Sequence, residues 1–176
     1  DLLWFPTGGG KTEAYLGLIA FTIFLRRIRF GEAGGGVTAF MRYTLRLLTT
    51  QQFQRASTLI CACEAIRKGA VTLPNVVLEL PGPPIAIGLW VGGDATPNKV
   101  ADAAKMLPLN DSPPGNSPAQ LDYCPWHRAS KLEWIKTASN QIRAFCEEPS
   151  CLWYKDKSPL PVLTVDEDIY EECPAL

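Results

Sequence analysis

The chain is short of histidine, of net charge, and of any apolar run long enough to cross a bilayer. His127 is the only histidine in 176 residues, so a metal site here is limited to one imidazole and must draw its other ligands from elsewhere. Seventeen Lys and Arg against eighteen Asp and Glu leave a net charge of −1. That balance neither argues for nor excludes a nucleic-acid partner, because a basic groove can coexist with an acidic remainder, and local charge matters more than the total. The most apolar stretch, residues 14–25, is too short to cover the ~30 Å hydrocarbon layer of a membrane, and no targeting segment is visible. The chain therefore reads as cytoplasmic with no membrane partner. Its six cysteines are then reduced thiols rather than a disulfide framework, and metal binding becomes the first question.

With 47% hydrophobic residues, the chain can bury one sizeable core. Near its start, Phe5-Pro6-Thr7-Gly8-Gly9-Gly10-Lys11-Thr12 lies between an apolar opening, Leu2-Leu3-Trp4, and a long apolar helical stretch. Glycines without Cβ atoms let successive N–H groups curl around phosphate oxygens, and a helix N-terminus beyond them adds partial positive charge. The expected cofactor-binding set is Thr7, Gly8, Gly9, Gly10, Lys11, Thr12 and Glu13. Within it Lys11 meets the β/γ-phosphates of ATP and Thr12 holds Mg²⁺, the two catalytic assignments. The strict pattern requires glycine where Phe5 stands, so the match is to the last three residues of the motif. The competing reading is a glycine-rich turn that happens to precede a lysine.

The Pro-Thr pair leading three glycines resembles motif I of superfamily 2 helicases and translocases. A second element, Thr44-Leu45-Arg46-Leu47-Leu48-Thr49-Thr50-Gln51, resembles motif Ia of the same superfamily. The resemblance implies that Arg46 and Gln51 touch the backbone of a nucleic-acid strand, as an arginine beside a helix N-terminus favours phosphate. Taken alone, a plain surface helix explains that element equally well.

Apolar spacing predicts a helix after the glycine loop, packed between the sheet and another element, and closed by Arg26, Arg27 and Arg29 as a solvated end suited to the helix dipole. A flexible turn follows at residues 31–36, then a strand over 37–44 and a helix over 45–68. Strands are expected at 85–91 and 160–165. The alternation argues for an α/β fold, a P-loop NTPase (RecA-like) parallel sheet with helices on both faces. Residues 1–105 form the first part of that lobe, 106–160 an insertion, and 161–176 the return to the core. Within the insertion, Leu132, Ile135, Ile142 and Phe145 suggest an amphipathic helix over 130–145.

Cys124-Pro125-Trp126-His127 and the later pair Cys146 and Cys151 supply two ligand pairs with knuckle spacing, a Cys₃His set for structural Zn²⁺. The competing reading is three buried cysteines and a surface histidine. A Pro- and Ser-rich insertion has little apolar area with which to order itself, which favours a metal clamp. Four closed ligands leave no open position, so the metal is structural. Cys61 and Cys63 lie two apart on a helix and cannot face one ion together; both are assigned to the core. Cys173 has no evident partner. Trp126, Trp134 and Trp153 offer stacking surfaces, although packing around a metal core is the commoner use.

The run Val165-Asp166-Glu167-Asp168 has the form of a Walker B strand end, yet the residues after it do not complete a helicase box. The glycine loop, the Cys124 knuckle, the second cysteine pair and the segment from Leu160 to Tyr170 together look like the large helicases of the DISARM anti-phage defence class, in the same order. His127 departs from the cysteine usual in that knuckle. The resemblance implies that Asp166 and Glu167 precede the catalytic carboxylates instead of supplying them. It further implies an ATP-dependent DNA helicase or translocase whose partners are nucleic acid, the rest of its own helicase chain and a defence-complex subunit. No adenine-contacting segment precedes the loop, and the chain reads as an excised piece, inactive in hydrolysis by itself. The alternative is a zinc-stabilised nucleic-acid or protein-binding module with a vestigial glycine loop. A third, a P-loop kinase or transferase, lacks an identifiable Arg-rich lid.

Overall fold

The computed structural model describes residues 10–42, 46–72, 74–75, 78–108 and 116–173, with the side chains of 46–49 left out. Helix α1 runs Lys11–Phe30 and begins directly after Gly10, whose φ of 76° is the left-handed conformation that glycine adopts without penalty. It ends at Gly31, where the chain turns through a short 3₁₀ segment, Gly31–Gly34. Helix α1 is not sandwiched as its composition suggests. Tyr15, Leu18, Phe21, Ile28 and Phe30 are exposed, and the buried side consists of Ile23 and Arg27. Ile19, Ala20, Ile23 and Phe24 pack on Ile60 and Cys63 of the next helix and on Ile85.

The arginine cluster is the second correction. Arg27 is buried and donates to the carbonyls of Pro81 and Pro83, both at 2.7 Å. Arg26 donates to Val37 O and Gly35 O. The turn that Arg27 holds, Pro81-Gly82-Pro83, is rich in residues that lack an N–H, and the guanidinium supplies several donors to the carbonyls there at once. A Cβ on Gly82, where φ is 98°, would collide with that guanidinium. Residues 37–42, expected as a strand, carry no regular structure, and Phe40 is exposed. β propensity needs a ladder partner to act, and none lies beside this segment among the described residues.

Helix α2, Arg46–Arg67, agrees closely with the expected span and closes at Gly69, φ 69°, with Ala70 N–H bonded to Ala65 O. Its two faces serve two partners. Ile60 and Cys63 face α1, while Phe53, Cys61 and Ala65 belong to a larger cluster with Leu89, Trp134, Ala144 and Trp153. A third buried group on α2, Glu64, accepts from Ile85 N at 2.9 Å and is gripped by Arg67 through two bonds of 2.6 and 2.7 Å.

Strands β1, Ile87–Gly88, and β4, Val162–Leu163, pair in parallel with Ile87 opposite Val162. The described residues thus contain a small two-stranded parallel sheet in place of the wider one expected. Between these strands come α3, Val100–Ala104, and a hairpin of β2, Leu132–Lys136, and β3, Ile142–Cys146. That hairpin replaces the expected helix over 130–145. Register runs from Leu132 opposite Cys146 to Lys136 opposite Ile142. The turn is built by Thr137 and by Asn140 at φ 61°, with Asn140 N–H bonded to Thr137 O. Leu132, Ile135, Ile142 and Phe145 fit a helical spacing, but the turn at residues 137–141 splits them into two strands.

Helix α4, Asp166–Glu172, follows β4 and lays Ile169 over Gly88, where a Cβ would approach that side chain to 3.1 Å. Its Asp168 is buried, accepts from Ile142 N at 2.9 Å and lies 3.6 Å from the Arg143 guanidinium, which also pairs with Glu172. Burial pushes the Asp168 carboxyl up to about 6 from an ordinary 3.8, against the pull of the Ile142 N–H and of Arg143. The proton-linked stability of this raised acid is fully present below about 3.8 and is lost as pH rises through about 6, amounting to about 3 kcal/mol at most. Asp168→Asn, which keeps an acceptor and cannot ionise, is therefore expected to gain on the parent chain as urea unfolding is moved from pH 4 to pH 7.5. A stability difference independent of pH would exclude this ionisation.

Candidate metal centre

Three pieces of chain build the centre. The first is the turn opened by Cys124, closed by Arg128 N–H to Cys124 O at 2.7 Å and by Cys124 N–H to Ser130 O at 2.9 Å, with Arg128 at φ 60°. The second is the end of β3, which presents Cys146. The third is the turn after it, where Cys151 N–H bonds Glu148 O and returns the chain so that Cys146 N–H meets Trp153 O at 2.8 Å. The ligand atoms of Cys124, His127, Cys146 and Cys151 all lie within 4.8 Å of one another. The sulfurs of Cys124 and Cys151 are 4.0 Å apart, and Cys146 Sγ is 3.9 Å from His127 Nδ1.

These separations discriminate between chemistries. Sulfurs on a tetrahedral zinc, with Zn–S near 2.3 Å, stand about 3.8 Å apart, whereas a disulfide closes to about 2.05 Å. All the cysteines are free thiols. Backbone N–H groups point at the sulfurs: Glu148 N lies 3.4 Å from Cys146 Sγ, and Trp153 N 3.4 Å from Cys151 Sγ. Such donors favour the thiolate that a metal requires. Without a cation the balance is reversed. Burial pushes the Cys151 thiol up to about 12, with Cys124 and Cys146 adding to it, and burial raises Cys124 as well. A divalent ion at the centre of the four ligands inverts that logic. The donor set therefore suits a metal such as zinc, held closed by four ligands.

The centre is part of the main core. Cys124, Cys146, Cys151 and Trp153 share one buried cluster with Cys61 of α2. Burial and the nearby Cys124 and Cys151 push the Cys61 thiol up, so Cys61 is a neighbour of the ligands and Cys63 is not. Trp153 packs edge-on against Trp126, and the Lys68 ammonium lies 5.3 Å over its ring. Sequence reasoning assigned Cys61 to the core without seeing this neighbourhood. The available signal was the seven-residue spacing that puts Gln54 and Cys61 on one face of α2, with Lys68 seven further on at its end.

Of the glycine-loop set, Thr7, Gly8 and Gly9 lie outside the described residues. Gly10 caps α1, and Lys11 and Thr12 form its first turn. Glu13 forms an ion pair with Arg55 of α2, which joins the opening turn of α1 to α2. Arg46 is the first residue of α2, its side chain outside the described set, and Gln51 is exposed one and a half turns on. Cys124, His127, Cys146 and Cys151 converge, whereas Lys11 lies on α1 and Arg46 and Gln51 on α2. Glu167 accepts from Val100 N at 2.8 Å and donates its own N–H to Asn98 O, tying α4 to the start of α3. Asp166 has its carboxyl raised by burial against a hydrogen bond from the Trp90 side chain.

No protein-family model matches the chain, and no solved structure matches it. What the fold and centre define is a mixed helix and strand chain with a small parallel sheet and a cluster of three buried cysteines and the half-buried His127. The whole chain is similar to a segment of DISARM protein DrmA of Bacillus paralicheniformis, with 38% identity over 193 aligned positions that take in 100% of this chain. The chain spans only 16% of the length of that relative. No helix among the described residues is long and apolar enough to cross a membrane.

Proposed function

We propose that this chain serves in anti-phage defence as part of the ATP-binding, RecA-like lobe of a superfamily 2 DNA helicase or translocase of the DISARM type, in the cytoplasm, with a structural zinc at Cys124, His127, Cys146 and Cys151. The observation that carries the reading is the 38% identity to DrmA along the full chain. Helix α1 starting at Lys11 straight after Gly10 supports a phosphate-binding role, since the first turn of a helix carries N–H groups without partners inside the helix. On this reading Gly8 to Thr12 cradle the ATP phosphates, Thr12 takes Mg²⁺, Glu13 braces the loop through Arg55, and Arg46 and Gln51 meet the DNA backbone. Residues 1–105 and 161–176 belong to the lobe, and 106–160 carry the zinc. The partners are DNA, the remaining parts of a longer helicase and other subunits of a defence complex.

Two titrations test this. A fluorescent ATP analogue with Mg²⁺ is expected to bind the 176-residue chain weakly, and Lys11→Ala is expected to weaken it about tenfold or more by removing the phosphate counter-charge. Appreciable phosphate release by the chain alone would contradict its predicted inactivity. Zinc uptake without any nucleotide affinity would favour the second reading, a zinc-stabilised nucleic-acid or protein-binding module.

A further inference from the structure

Helix α2 meets the metal-binding segment at three points on one face. Near its start, Gln54 is buried and donates to the carbonyl of Tyr123 at 3.2 Å, the residue before Cys124. Two turns on, Cys61 is fully buried in the cluster that contains Cys124, Cys146 and Cys151. Two turns further, Lys68 bonds Ser158 and lies over the ring of Trp153, a residue whose backbone N–H points at Cys151 Sγ. Gln54 and Cys61 are seven positions apart, which returns both to nearly the same side of α2, and Lys68 follows seven positions later, one residue past the helix end. The opposite side of α2 rests on α1 through Ile60 and Cys63. One helix is thus held between a helix that needs no metal and a segment whose ligands converge on one point.

The geometry points to the metal centre as the anchor of α2: metal at the four ligands holds the docking face of Gln54, Cys61 and Lys68 in place, and metal loss loosens α2 while α1 stays folded. This rests on the metal reading above and adds to it a consequence at a distance. The same helix opens with Arg46 and carries Gln51, so metal occupancy governs the order of the element assigned to a nucleic-acid strand. Trp153 is the physical link. It is fully buried, follows Cys151 by two residues, and accepts the Lys68 cation on its face. Movement of the Cys151 turn moves the surface on which the end of α2 rests.

Hydrogen exchange on the full 176-residue chain, with one equivalent of zinc and after chelation, reads the effect directly, with metal content measured on the same samples. Chelation is expected to lower protection over residues 53–68 about tenfold or more while α1 changes little. Linkage requires the reciprocal effect: Lys68→Met, which alters no ligand, is expected to speed zinc transfer to a chromophoric chelator several-fold. Metal bound and removed with α2 protection unchanged would overturn this proposal and leave the metal site standing. So would an equal loss of protection in α1, or an unchanged transfer rate in Lys68→Met. A chain that takes up no zinc at all would remove both this proposal and the metal reading beneath it.

Discussion

Cys151→Ser is expected to empty the metal centre and to cost the chain a large part of its stability. Cys151 is fully buried and its sulfur stands 4.0 Å from that of Cys124. Serine preserves volume but does not supply a thiolate, and the remaining three ligands cannot close a tetrahedron. Structural zinc sites bind with about 10–16 kcal/mol in small peptides at neutral pH. Loss of even about 4 kcal/mol would lower the unfolding temperature of a chain of this size by about 10 °C. Elemental analysis is expected to fall from about one zinc per chain to near zero. Cys173→Ser is the control, because Cys173 is half-buried and outside the cluster, and it is expected to retain metal and stability. The same centre should release its metal on acidification, as protons compete for three thiolates and an imidazole. An unchanged melting temperature in Cys151→Ser, with metal retained, would exclude the Cys₃His assignment.

The second large effect is expected at Arg27→Met, far from the metal. The substitution keeps an apolar stem but removes both donors from the carbonyls of Pro81 and Pro83. A hydrogen bond from a charged donor contributes about 1.5–3 kcal/mol; Arg27 is buried but Pro81 and Pro83 are exposed, so water can partly replace it, and loss of the pair is expected to cost about 2–4 kcal/mol in denaturant unfolding. Burial, together with the nearby Arg67, already lowers the affinity of Arg27 for its proton, and Glu64 and Glu32 offset this. Arg27→Lys is expected to recover only part of the loss, because a single ammonium does not reproduce the fork that reaches both carbonyls. A loss below about 0.5 kcal/mol, the range of ordinary surface substitutions, would mean that water satisfies the turn.

How far each element could be read depended on how local its cause was. Helix α2 was legible almost to the residue, since its spacing and its closing glycine are properties of neighbouring positions. The convergence of Cys124, His127, Cys146 and Cys151 was legible for a similar reason: two short pairs of the right residue types need only one long-range meeting, and their ligand atoms lie within 4.8 Å of one another. The hairpin of β2 and β3 is hidden in the sequence because four of its apolar residues also fit a helical period, and only the local turn chemistry of Thr137 and Asn140 separates the two strands. Arg27 was assigned to solvent because its partners lie more than fifty positions away, and no local pattern announces a carbonyl in need of a donor.

By itself the sequence determined which residues are able to bind metal, where α1 and α2 run, and that glycine leads directly into the helix that starts at Lys11. Those features follow from side-chain chemistry and from interactions a few positions apart. Only the tertiary structure decided that Cys61 lies in one cluster with Cys124, Cys146 and Cys151 and Cys63 on the other side of the same helix, that Asp168 is buried against β3, and that Trp153 packs between that cluster and Lys68. Each of these depends on which distant surfaces come together in one close-packed core, and packing is a property of the whole chain that no short window contains.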